Sequence, residues 1–187
     1  MPEPRRNRRL RPLPGAVTGG GGGGKGQRDI WDVTLGDAQY QWLSETLATS
    51  TAKYKLVFAR HVNGTGRGGI KVAGAGEWGD AAGLAAHRPG WGKTIQALMA
   101  ETGVTVFFQG HDHLFAREEL DGVVYQTLPS AADPNEAMPN AQAYPTGETL
   151  PASGHLRVTV APDGVTVHYV RSSLARPDEV AFSYTVR

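Results

Sequence analysis

Apolar and polar positions follow two periods along this chain, and the first half is helical in rhythm. From Asp37 to about Ala48, Trp42, Leu43 and Leu47 fall on adjoining parts of one face, which predicts a helix covering one side of a sheet. Asp37 is placed as that helix's first-turn acid, where it meets the dipole favourably. The run Tyr54 to Ala59 is apolar without strict alternation and predicts a strand buried on both faces. Asn63 to Gly92 is rich in glycine and too long for an ordinary turn, so it is expected to be a functional loop. Helical spacing returns at Ile95, Leu98, Met99 and Thr102 with Gly103 as C-cap, and Val104 to Gln109 then reads as a second buried strand. Strand, loop, helix and strand in that order predict a right-handed crossover between parallel strands.

After Gly110 the rhythm shortens to two. Leu114 to Leu120 and Val123 to Leu128 flank Asp121 and Gly122, a pair that supplies the positive φ angles of a tight hairpin. His155 to Ala161 and Val165 to Ser172 flank Pro162, Asp163 and Gly164, with Leu156, Val158 and Val160 alternating against polar neighbours, and Val180 to Val186 forms a last strand. Ser130 to Gly154, rich in Pro, Ala and Asn, is expected to be a surface loop. An α/β unit running into antiparallel strands predicts two packed sheets with outer helices.

Composition adds three constraints. The 187 residues, 40% of them hydrophobic, suffice for one core, while 25 glycines and 12 prolines imply generous loops. A formal charge of +1, from 19 basic and 18 acidic residues, gives no bulk field for nucleic acid or an anionic membrane. Without cysteine there is neither a disulfide framework nor a thiolate site, so a metal would have to be held by His, Asp, Glu or Asn. No stretch approaches the roughly 20 apolar residues of a membrane span, and the N-terminus lacks a secretory apolar region, so the chain as written is expected to be cytoplasmic and free of membranes. Residues 1–28 form an arm with five arginines between Arg5 and Arg11 and six glycines from Gly19 to Gly24, expected to be disordered and solvated. No aromatic is interleaved with those arginines, so nucleic acid is not the expected partner. Residues 29–187 make up the expected globular domain.

Two glycine motifs are set aside. Gly64 to Gly69 (GTGRGG) follows a strand, but the succeeding IKVAGAG does not read as a helix able to present its amides to a pyrophosphate. Gly90 to Thr94 (GWGKT) puts His87 where a phosphate-binding loop needs its first glycine. His87, His155 and His168 each stand alone and receive no role. His111 and His113 are different. They follow a buried strand and Gly110, and residues two apart in an extended segment point to the same side, so both imidazoles are expected to converge just beyond the strand's carboxyl end. Imidazole suits Zn, Fe, Mn or Ni.

FFQGHDHLFA, Phe107 to Ala116, resembles the closing G-H-x-H motif of the calcineurin-like metallophosphoesterases, which include the purple acid phosphatases. Gly36 to Val62 is similar to the helix and strand that precede that family's previous histidine motif, and the similarity runs from about Asp29 to the end. The resemblance implies a four-layer αββα sandwich, α/β in class with a mixed sheet and antiparallel hairpins. It implies two metal ions, often Fe, Zn or Mn, that activate a hydroxide against a phosphate ester. It makes His111 and His113 metal ligands, with His61 a further candidate.

The family's D-x-H, G-D-x-x-D and G-N-H-D/E boxes are not found in this sequence, and Tyr40 stands where GDAQY would need a second carboxylate. Arg60 follows the strand where a histidine is usual, and its guanidinium cannot bind metal. His61 would then serve only through a local bulge. The chain is thus expected to be the C-terminal half of such an enzyme, its first residues to about Thr18 misplaced. It is expected to bind at most one ion weakly and to hydrolyse a phosphate ester poorly or not at all by itself. A non-catalytic anion-binding module and a gene remnant are the competing expectations; the sequence sets no oligomeric state.

Overall fold

The computed structural model describes residues 29–63, 70–133, 137–172 and 177–187. The arm at 1–28 and the GTGRGG stretch lie outside the described residues.

Five strands build the larger sheet: β1 (Leu56–Ala59), β2 (Val106–Gln109), β3 (Phe115–Leu120), β4 (Val123–Thr127) and β5 (Glu148–Leu150), in the order β1-β2-β4-β3-β5. β1, β2 and β4 run parallel, with Leu56 opposite Val106 and Val106 opposite Val124, and β3 returns antiparallel to β4. The expected crossover is present, with α3 (Ile95–Glu101) joining β1 to β2. The Thr94 hydroxyl caps α3 by accepting from the Ala97 amide. At the β3–β4 turn Asp121 and Gly122 both have positive φ, 49° and 77°, as a tight hairpin requires.

A second sheet holds β6 (Gly154–Ala161), β7 (Gly164–Arg171) and β8 (Val180–Val186), antiparallel with β7 in the middle. Val165 and Val167 of β7 pack on Val106, Phe108 and Val124 of the larger sheet. The opposite face of the larger sheet is covered by α1 (Asp37–Thr49) and α3, through Tyr40, Leu43, Leu47, Leu98 and Met99 against Phe107, Val123 and Tyr125. Helices, mixed sheet and antiparallel sheet form three successive layers of an α/β sandwich.

Several expectations are corrected by tertiary context. Trp42 is 48% exposed on α1, and Tyr40 takes the core position instead, stacked on Trp91 at 4.0 Å with its hydroxyl donating to the Lys93 carbonyl. β1 is not buried on both faces: it is an edge strand, and Phe58 is 69% exposed while leaning on Phe108 at 4.8 Å. The long connection after Asn63 contains a 3-10 helix, Ile70–Ala75, where none was expected, and α2 (Ala81–His87). The supposed surface loop from Ser130 to Gly154 contributes β5 and the buried Tyr144. Among the described residues no helix is long and apolar enough to cross a membrane.

Candidate functional site

The candidate histidines lie where the chain leaves β1 and β2. These two parallel strands end level, Ala59 opposite Gln109, so the segments after them meet at one end of the sheet. Gly110 allows that approach: a Cβ there would stand 3.0 Å from the Arg60 carbonyl oxygen, tighter than side chains accept without a backbone shift.

His61 and His111 meet at this point, their rings 4.5 Å apart between centroids and tilted by 25°. The Trp78 ring meets His61 edge-on at 5.6 Å. His61 Nδ1 lies 3.3 Å from the Val62 carbonyl, which favours a proton on Nδ1 and leaves Nε2 as the electron-pair donor. No bulge is needed to bring His61 inward. β1 stops at Ala59, so alternation no longer governs, and Arg60 is exposed while His61 is half-buried.

His113 does not join them as expected. His111 and His113 both carry positive φ, 85° and 55°, so the chain turns and the same-side rule for extended residues does not apply. Such backbone is uncommon outside glycine, is enriched for histidine, and collects at functional sites. The His113 side chain is 61% exposed and lies 3.9 Å from Asp133. Among the described residues no three His, Asp or Glu side chains are grouped to hold a metal ion. The described residues therefore do not supply the bridging carboxylates of a two-metal centre.

Between the two histidines of the motif, Asp112 is buried and ends a hydrogen-bond chain across the sheet. The Asn63 amide donates to Gln109 Oε1 at 3.1 Å, and Gln109 Nε2 donates to Thr127 Oγ1 at 3.0 Å. Thr127 Oγ1 donates to the Tyr144 hydroxyl at 3.2 Å, which donates to Asp112 Oδ2 at 2.8 Å. Burial first, then the nearby Asp112 and Glu118 charges, push the Tyr144 hydroxyl far above its ordinary pKa, so it remains a donor. The chain ties the loop after β1 to the turn that carries His111. Sequence reading missed it because Tyr144 is 32 residues from Asp112; a lone tyrosine in a Pro- and Ala-rich segment was the only signal.

Beside His61, between α1 and the open side of β1, lies a cavity of about 410 Å³ lined by Trp42, Leu43, Val57, Asn63 and Glu77 among others. Glu77 is 6% exposed and accepts from Arg88 Nε at 3.2 Å. Burial raises its carboxyl above the ordinary value, against the easing effect of Thr34 and Arg88.

No family model matches the chain, and no curated protein matches it. Two solved structures are similar in fold. One is GAP50, the anchor in the inner membrane complex of Plasmodium, at 16% identity and TM-score 0.50, covering 80% of this chain and 41% of that one. The other is a purple acid phosphatase isolated from yellow lupin (Lupinus luteus) seeds, at 16% identity and TM-score 0.50, covering 79% of this chain and 28% of that one. This chain spans less than half the length of either, and identities this low carry the fold alone: a sandwich of the kind a purple acid phosphatase has.

Proposed function

We propose that this chain carries the histidine-bearing part of a metal-dependent phosphoesterase site. In this reading His61 and His111 hold one Fe, Zn or Mn ion weakly, and the chain by itself hydrolyses phosphate esters poorly or not at all. The observation that carries the reading is the meeting of those two imidazoles at the carboxyl ends of adjacent parallel strands, where α/β sheets hold their ligands. The limit on activity follows from the same geometry. Paired-metal hydrolysis clamps the attacking and leaving oxygens between two ions, and no third His, Asp or Glu stands with this pair among the described residues.

A second reading, a non-catalytic anion-binding role, is supported by the exposed Arg60 beside the pair and by the fold likeness to the GAP50 anchor. Hydrolysis of p-nitrophenyl phosphate with added Mn, Zn or Fe separates the two. The expected kcat lies far below the ~1–1000 per second of ordinary enzymes and falls to background in His61→Ala plus His111→Ala. A kcat of about 1 per second or more from the chain alone would overturn the proposed limit. Salt-sensitive binding of inorganic phosphate that survives the double substitution, without turnover, would move the assignment to the second reading.

A further inference from the structure

The cavity between α1 and the open side of β1 joins two unlike surfaces. Its body is apolar, walled by Trp42 and Leu43 from α1, Val57 from β1, Ile95 from α3 and Phe107 from β2. Its lining also includes Arg60 and His61, the first two residues after β1. Arg60 is exposed, and its stem lies along Gly110, with Cδ 3.9 Å from where a Cβ would stand. That lays the side chain across the level ends of β1 and β2. Among the described residues Arg60 forms no ion pair. Glu77, the carboxylate in the lining, is already held by Arg88 at 3.2 Å, and Thr34 and the Leu35 amide also bear on it. The open charge of the cavity is therefore positive, and it stands at the carboxyl end of β1 beside apolar walls.

We propose that this cavity binds an anionic amphiphile, a compact apolar body carrying a phosphate head: the body lies on Trp42, Leu43, Val57 and Phe107, and the head meets Arg60. A guanidinium is always charged, and its fork of donors matches phosphate oxygens in pairs. His61, beside it, donates to the same head when protonated. The volume of about 410 Å³ falls within the ~300–1000 Å³ of small-molecule sites, and mostly apolar walls with a few polar groups are their usual lining. Complementarity separates this ligand from its competitors. An uncharged body leaves Arg60 unanswered, and a cationic head meets like charge, since Glu77 is taken by Arg88. A bare anion leaves the apolar wall against water. The phosphate head rests on the anion-binding reading above, whereas the apolar body does not, and neither needs metal or turnover.

The test titrates 2-naphthyl phosphate into the full chain in EDTA, so that neither metal nor turnover contributes, and follows backbone amide shifts. 2-Naphthol serves as the uncharged body and inorganic phosphate as the head alone. The expected result is saturable one-to-one binding of the ester, about tenfold tighter than 2-naphthol and about tenfold or more tighter than inorganic phosphate. Shifts are expected at Val57, Arg60 and His61 and not along β6 to β8. Arg60→Gln, at an exposed position, should bring the ester down to the affinity of 2-naphthol. Val57→Phe, which fills the cavity, should bring it down to that of inorganic phosphate. Should that variant fail to fold, Trp42→Ala, at a 48% exposed position, serves instead and weakens the ester while sparing phosphate. Equal affinity for the ester and inorganic phosphate would overturn the proposal and leave the anion-binding reading intact. Equal affinity for the ester and 2-naphthol, with no binding of phosphate, would overturn both. A dimer that excludes the ester, seen by sedimentation, would assign the cavity to a second copy and overturn the proposal as well.

Discussion

The two margins of the larger sheet are finished very differently. On the β3 and β5 side, Leu114, Ala116 and Tyr144 are buried together and Phe115 stacks on Tyr169 of the smaller sheet at 4.9 Å, with only the three-residue β5 beyond them. On the β1 side no further strand pairs with the edge among the described residues, Phe58 is 69% and Trp42 48% exposed, and a cavity lies against the strand. The candidate histidines stand at that second margin. An edge strand of Leu, Val, Phe and Ala with no charge or proline to blunt it is a ready template for another strand. What the contrast teaches is that the candidate histidines stand where the packing is thinnest, while hydrogen bonds through Gln109, Thr127, Tyr144 and Asp112 tie their loops to the rest of the sheet.

The largest test of that contrast is a matched pair of truncations. Phe108→Ala, at a 2% exposed position between the sheets, should cost about 3–5 kcal/mol, and Phe58→Ala, its stacked neighbour at the edge, about 1 kcal/mol or less. Denaturant melts of both variants measure the difference, and equal costs would mean that the β1 edge is packed in solution. Next in size is Tyr144→Phe. It removes the donor to a buried carboxylate and should cost about 1.5–3 kcal/mol, while shifting the amides of His111 and Asn63 at the far end of the chain of bonds.

A smaller effect is expected from pH. Burial raises the Glu118 carboxyl above its ordinary value of 4.5, against hydrogen bonds from Thr146 and the Ile70 amide. A carboxyl with a raised folded pKa binds its proton more tightly in the folded state. Its contribution therefore favours the fold at low pH and is lost as pH rises from about 4.5 through the folded value. Relative to the parent, Glu118→Gln should gain stability as pH goes from 4.5 to 7, which thermal melts along that range can follow; a constant offset would count against a titrating Glu118. Smallest of all is Phe58→Lys, expected to change stability by about 0.5 kcal/mol or less while lowering concentration-dependent association measured by sedimentation.

Much of the architecture could be read in advance because its signals are local. The Asp121 and Gly122 turn, the alternation in β6 and β7, and the crossover through α3 each depend on residues a few positions apart. The burial of β1 could not be read in the same way. An apolar run implies neighbours on both sides, and whether they exist is a property of the sheet order. Tyr40 displaced Trp42 from the core because its partner, Trp91, comes from a distant segment. At the site, Gly110 and His111 were readable as the end of a strand. The separation of His113 was not, since the same-side rule presumes extended backbone and both histidines of the motif adopt positive φ. His61 gained its place only because β1 ends before Arg60.

The central claim is that His61 and His111, and not His113, form the pair that can hold a metal ion. Zinc titration of protein labelled with 15N at histidine, followed by imidazole resonances, addresses it directly. The account predicts that the His61 and His111 ring signals change together along a single weak binding curve, with His113 unaffected over that range. Joint changes in His111 and His113 with His61 silent would contradict it, and would restore the convergence of the motif's two histidines that the turned backbone argues against.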